Sequence, residues 1–186
     1  MIRKNLLVNN NELQTERSAE IIDLVKMIHP KPKNIQAKPI SQSGIITFVV
    51  SDKPVKSQEK KDYDFQTTSK KIKASYFEVW VKHEKNNYFL SKAYFHLYRT
   101  DNQYLESIRE DGEYVLLHCD PNDNDEHGDY KRSPHIHIEN AEYPINKAHI
   151  ALNLSNITQI LESRIELNKA LKSAILMLKE QIIEKI

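Results

Sequence analysis

Apolar residues change their spacing three times along the chain, and each change predicts a different kind of element. Over residues 11–29, Leu13, Ile21, Leu24, Val25 and Ile28 fall on one helical stripe, and Pro30 and Pro32 end it. Lys31 to Ile40 holds two prolines, Pro32 and Pro39, and reads as an extended connection, and Ile45 to Val50 is a β-branched run that predicts a buried strand. Ser51 to Ser69 is polar and lysine-rich and reads as a mobile loop.

The middle of the chain then alternates with the two-residue period of strands. Tyr76 to Lys82, a turn at Glu84-Lys85-Asn86-Asn87, and Tyr88 to Tyr98 predict an aromatic antiparallel hairpin. Asp111-Gly112 marks a further turn, Glu113 to His118 another strand ending at Asp120-Pro121, and two short strand-like runs follow at Pro134 to Ile138 and Lys147 to Leu152. From Ser155, a plausible N-cap, to Ile186 the period turns helical again, through Ile157, Ile160, Leu161, Ile165, Leu171, Ile175, Leu178 and Ile182. As one helix those residues would span about 48 Å, more than the width of a small sheet. Either the segment bends back as two helices, or its far end projects to meet a partner. The expected architecture is α+β: a mostly antiparallel central sheet with an N-terminal helix and a long C-terminal helical segment. Residues 1–154 form the body, and 155–186 pack on it or on a partner.

Composition narrows the function without naming it. The chain has 186 residues, 28% of them charged, and a mean hydropathy of −0.64, with no run approaching the roughly 20 apolar residues of a membrane span. The first ten residues lack the pattern of a signal peptide, and the single cysteine, Cys119, excludes an internal disulfide framework; both lead to an expectation of a cytoplasmic protein. His118 adjoins Cys119 but faces the other side of any strand, so a buried structural thiol is the expected reading. The net charge of +1 conceals segregation: Lys26 to Lys73 carries eleven lysines against four acids, and Asp120 to Asp129 carries five acids and no base. A solvated lysine-rich surface and an anion-binding one both fit the basic half.

Candidate chemistry concentrates between Leu117 and Ile150, which hold five of the eight histidines: His118, His127, His135, His137 and His149. On a strand His135 and His137 point one way while Ile136 and Ile138 point into a core. His149 reaches the same surface if its segment pairs with theirs. Two chemistries use these groups. In one, His135, His137 and His149, with Asp120, Asp129 or Glu139, hold a divalent metal ion. In the other, two imidazoles act as general base and acid on an RNA 2′-hydroxyl, and Lys131, Arg132 and Lys147 grip phosphate. A calcium loop fails, because no register of the acidic run gives both the glycine and the final Glu of an EF-hand. Trp80, Tyr94, Phe95, Tyr98 and Tyr104 fit either base stacking or, more simply, a sheet core. Gly-rich phosphate loops, nucleophile elbows and Cys-x-x-Cys pairs are absent.

The run Arg132-Ser133-Pro134-His135-Ile136-His137, followed by Pro144, Lys147 and His149, resembles the small TumE-like toxins of bacterial toxin-antitoxin pairs. Their hallmark is an Asn-Ala-Pro-His-His run and, about ten residues on, a Pro-His-His-Lys-His run. Here Lys131-Arg132-Ser133 precedes the proline, Ile136 splits the paired histidines, and Ile145 and Asn146 stand where the second run has histidines. The likeness covers about Tyr76 to Leu152. It implies a toxin or defence component acting on nucleic acid, with an antitoxin or operon-partner protein. The expectation taken forward is an RNase-like enzyme with His135, His137 and His149 at its centre. Its rivals are an interaction protein that dimerises through the C-terminal helix, and a binder of a small anion.

Overall fold

The computed structural model describes residues 6–53, 63–101, 113–121, 134–139, 148–152 and 157–186. The Asp111-Gly112 turn, Tyr104, the acidic loop with His127, Lys131, Arg132, Pro144, Lys147 and the Ser155 cap lie outside the described residues.

An antiparallel sheet organises the fold. Its strands are β1 (Leu7–Asn9), β2 (Gln36–Gln42), β3 (Ile45–Ser51), β4 (Phe65–Gln66), β5 (Ile72–Lys82), β6 (Asn87–Arg99), β7 (Glu113–Cys119), β8 (His135–Ile138) and β9 (Ala148–Ala151). The order across the sheet is β2-β3-β5-β6-β7-β8-β9, with β1 on β6 and β4 on β5. The expected α+β class holds. The aromatic hairpin is present as β5 and β6, its first strand ending at Lys82 before the turn as expected but starting earlier, at Ile72, with Lys85 at φ 56° in the turn.

Two expectations need correction. The proline-rich connection is in part a strand, β2, joined to β3 through Ser43 and Gly44, both at positive φ as in tight two-residue hairpins. Pro39 sits within β2 without cost because β2 is the edge of the sheet, where its missing N–H has no ladder partner to lose. The loop expected over 51–69 is also too long. By Tyr63 the chain is packed, Phe65 pairs with Ala74, and Tyr63, Phe65 and Thr67 are buried. The surrounding lysines masked this short alternating run.

Helices cover one face of the sheet. The N-terminal helix begins at Asn10, with the Asn9 side chain accepting from the Asn11 N–H at 2.9 Å, passes through a π-turn at Leu13–Arg17, and continues as Ser18–Val25. The C-terminal segment is not one straight rod. Ile157–Ile160 is a short helix, and Arg164–Leu178 is a second one, capped by Ser163 accepting from the Glu166 N–H at 3.2 Å. Leu167, Leu171, Ala174, Ile175 and Leu178 enter the same core as Ile21, Trp80, Phe95 and Leu117, so this segment packs on the body. Among the described residues no helix is long and apolar enough to cross a membrane.

Beneath the sheet lies a buried ionic knot. Arg17 projects from the π-turn and donates from Nε to Glu78 Oε2 at 2.9 Å and from Nη2 to Oε1; Tyr76 and Trp80, on the same face of β5, also donate to Glu78. Arg17 Nη1 reaches Glu20 and, across to the C-terminal helix, Asn168 Oδ1, each at 2.6 Å. Burial alone would raise the Glu78 carboxyl; the Arg17 charge and the hydrogen bonds from Arg17, Tyr76 and Trp80 outweigh it and hold the group below its ordinary value. One guanidinium therefore ties both helices to the central strand.

Candidate metal centre

The opposite face of the sheet carries the histidines, and register explains how they meet. In β7, Val115, Leu117 and Cys119 enter the core, which turns His118 outward; in β8, Ile136 enters the core and His135 and His137 turn outward with it. Cross-strand partners stand about 5 Å apart on such a face. Phe77, Tyr94, His118 and His135 form one row of successive partners, and Ser75, His96, Leu116, His137 and His149 form the next.

At the β7–β8 end these rows bring three imidazoles together. One ligand nitrogen each from His118, His135 and His137 lies within 4.8 Å of the others, so the three are placed to hold a metal ion. Ring centroids are 5.7 Å apart for His118 and His135, 4.3 Å for His118 and His137, and 4.8 Å for His135 and His137. A tetrahedral ion bonded to nitrogen at about 2.0–2.1 Å needs its ligand atoms about 3.3 Å apart, closer than the 4.8 Å within which these three lie. His135 is fully buried while His118 and His137 keep partial access to solvent.

Of the residues expected from sequence, His135 and His137 converge. His149 is in backbone register with His137, as the pairing of the two segments requires, and its side chain lies outside what the structure describes. Asp120, expected as a carboxylate ligand, is buried just past the end of β7 and stands outside the group, which is made of imidazoles alone. Leaving the strand at Cys119 carries it beyond the row that holds His118. The expected phosphate grips, Lys131, Arg132 and Lys147, fall outside the described residues.

Two members went unrecognised in the sequence. His118 converges with His135 and His137, and His96 stands behind it: the Nε2 atoms of His118 and His96 are 2.9 Å apart. His96 Nδ1 lies 3.2 Å from the Tyr98 hydroxyl and 3.7 Å from Glu113 Oε1, and the Tyr98 hydroxyl lies 3.1 Å from Ser75 Oγ. Burial pushes the His96 imidazole down to about 4, so it is neutral near pH 7. Tyr94 stacks on His118 with centroids 3.9 Å apart and planes 9° apart, fixing the ring from its other side. The clue lay in parity: Tyr94, His96 and Tyr98 alternate with Ala93, Phe95 and Leu97, and His118 alternates with Leu117 and Cys119. The same parity divides the aromatics, with Trp80 and Phe95 in the core and Tyr94 and Tyr98 on the histidine face.

Further along this face the sheet hollows into a pocket of about 420 Å³ lined in part by Ile40, Gln42, Thr47, Val79 and Lys92. Lys92 Nζ sits 5.4 Å from the Tyr94 ring centroid, between that hollow and the imidazoles. No family model, curated protein or solved structure matches the chain.

Proposed function

We propose that this protein is a metal-dependent phosphodiesterase acting on RNA, with His118, His135 and His137 holding one divalent transition-metal ion. The observation that carries the reading is the convergence of three imidazoles on the face of the sheet opposite the helices. Three protein ligands leave a coordination position for water or substrate, the arrangement of catalytic rather than structural sites. A bound ion would supply Lewis acidity toward a phosphoryl oxygen. The chain's own residues do the rest: Tyr94 and Phe77 offer aromatic surface continuous with the site, and Lys92 offers a cation beside it. Such a surface suits single-stranded nucleic acid, whose bases stack while its phosphates meet the ammonium. His149 serves in this reading as acid or base beside His137, and Lys131, Arg132 and Lys147 as phosphate contacts.

A role as toxin or defence component, restrained by an antitoxin or operon partner, rests on the sequence resemblance alone. The alternative of assembly through the C-terminal helix is less favoured because Leu167, Leu171, Ile175 and Leu178 are spent on the chain's own core, which leaves Ile165 and Leu176 as the exposed large apolar residues of that helix.

Chelator-stripped protein, alone and reloaded with zinc or manganese, should be incubated with a fluorescent single-stranded RNA. Cleavage by the loaded protein that His137→Ala abolishes supports the reading. RNA left intact by loaded protein overturns the nuclease assignment, and cleavage indifferent to chelator overturns the metal's part in it.

A further inference from the structure

We propose that His96 is a positioning residue that fixes the tautomer of His118, by accepting the Nε2–H of His118 so that Nδ1 presents its lone pair to the ion. The inference rests on the metal-binding reading above and adds the residue that prepares one of its ligands.

Two imidazole Nε2 atoms 2.9 Å apart form a hydrogen bond only if one carries the proton and the other does not. The remaining contacts of His96 decide which. Its Nδ1 is in hydrogen-bond contact with the Tyr98 hydroxyl at 3.2 Å, which can donate or accept, and the Glu113 carboxylate lies 3.7 Å away, beyond hydrogen-bond length. The negative charge of that carboxylate favours the tautomer with the hydrogen on Nδ1 of His96, whose N–H the Tyr98 hydroxyl accepts, and in that tautomer Nε2 is the acceptor. The proton in the shared contact then belongs to Nε2 of His118, which leaves Nδ1 as that ring's ligand atom. Ser75 Oγ, 3.1 Å from the Tyr98 hydroxyl, holds the outer end of the chain. Metal-bound histidines commonly donate their second ring N–H to a carboxylate or carbonyl, which orients the ring and raises its basicity. Here an intervening imidazole passes the same bias from Glu113 and Tyr98 on β7 and β6 to His118.

The test reads the tautomer and the affinity separately. Long-range proton–nitrogen NMR correlations on metal-free protein should show His118 protonated at Nε2, and His96→Leu should mix or reverse that assignment. Zinc affinity, measured against a competing chelator, should fall about 10- to 100-fold in His96→Leu. In His96→Gln, whose amide oxygen reaches the position of the lost Nε2, it should stay near the wild-type value. His118 protonated at Nδ1 in the wild type, or equal zinc affinity in wild type and His96→Leu, overturns the proposal. A wild-type chain that takes up no zinc but keeps the Nε2–H tautomer overturns the metal reading and leaves the positioning contact standing. Should His96→Leu fail to fold, the wild-type tautomer and the glutamine variant still decide.

Discussion

His118 and His135 stand directly opposite each other across the β7–β8 ladder, their ring centroids 5.7 Å apart. That pairing, between residues seventeen positions apart in sequence, creates the site, because His137 then falls diagonally within reach of His118 on the same face. A strand slipped by one residue would send both β8 histidines into the core and Ile136 into solvent. The core packing of Ile136 and Leu117 thus sets the alignment of groups on the far side of the sheet.

His118→Ala removes a partly buried side chain from a strand whose alternate residues stay buried. It should leave the fold intact by circular dichroism while abolishing cleavage and metal uptake. Retention of both by the folded variant would contradict the assignment of His118 to the centre.

Tyr94 stacks on His118 and lies next to Lys92, so it is placed both to brace the ring and to receive a base. Tyr94→Ala should weaken single-stranded RNA binding by about 1–3 kcal/mol, read by fluorescence anisotropy, and Tyr94→Phe should bind as the wild type does, since stacking needs the ring and not the hydroxyl. Equal affinity in the alanine variant would remove Tyr94 from the substrate path.

The Arg17–Glu78 pair tests the scaffold. Glu78→Gln removes the buried counter-charge of Arg17, leaving it only the more exposed Glu20 carboxylate, and should cost about 3–5 kcal/mol in urea unfolding. The pH dependence has a definite sign. The folded Glu78 carboxyl is held below its ordinary value of 4.5, so its contribution is present above about pH 4.5 and is lost as pH falls through the lower folded value. The wild type should lose stability across that window more steeply than Glu78→Gln, and parallel profiles would mean that the pair carries no linked protonation.

Cys119 is fully buried, and burial, helped by nearby Asp120 and Glu78, pushes its thiol well above the ordinary range. A disulfide reagent should therefore react slowly with folded protein and with one equivalent after denaturation. Rapid reaction of the native chain would contradict this placement.

The sheet was legible where periodicity is local. Tyr76 to Tyr98 alternates through an evident turn, and Pro134 to Ile138 declares its two faces. Pairing between distant strands is a different matter: whether His118 meets His135 depends on long-range register, and no window of sequence around either residue contains it. Local sequence sets His118 only against its neighbour Cys119, while its cross-strand partner His135 is fixed by register, so the sequence alone does not add His118 to the expected group of His135, His137 and His149. The buried ionic knot did leave a trace. Arg17 falls four residues after Leu13 and four before Ile21, inside the apolar stripe, and Glu78 falls between Tyr76 and Trp80 on the core side of β5. Read singly, each charge suggests a surface; read by position, each is interior and requires the other.

The most direct trial of the central claim is a calorimetric titration of chelator-stripped protein with zinc, run on the wild type, His118→Ala and His137→Ala. One ion should bind per wild-type chain, with binding lost in both folded variants. No uptake by the wild type, or uptake unchanged in the two variants, would contradict a metal centre built from His118, His135 and His137.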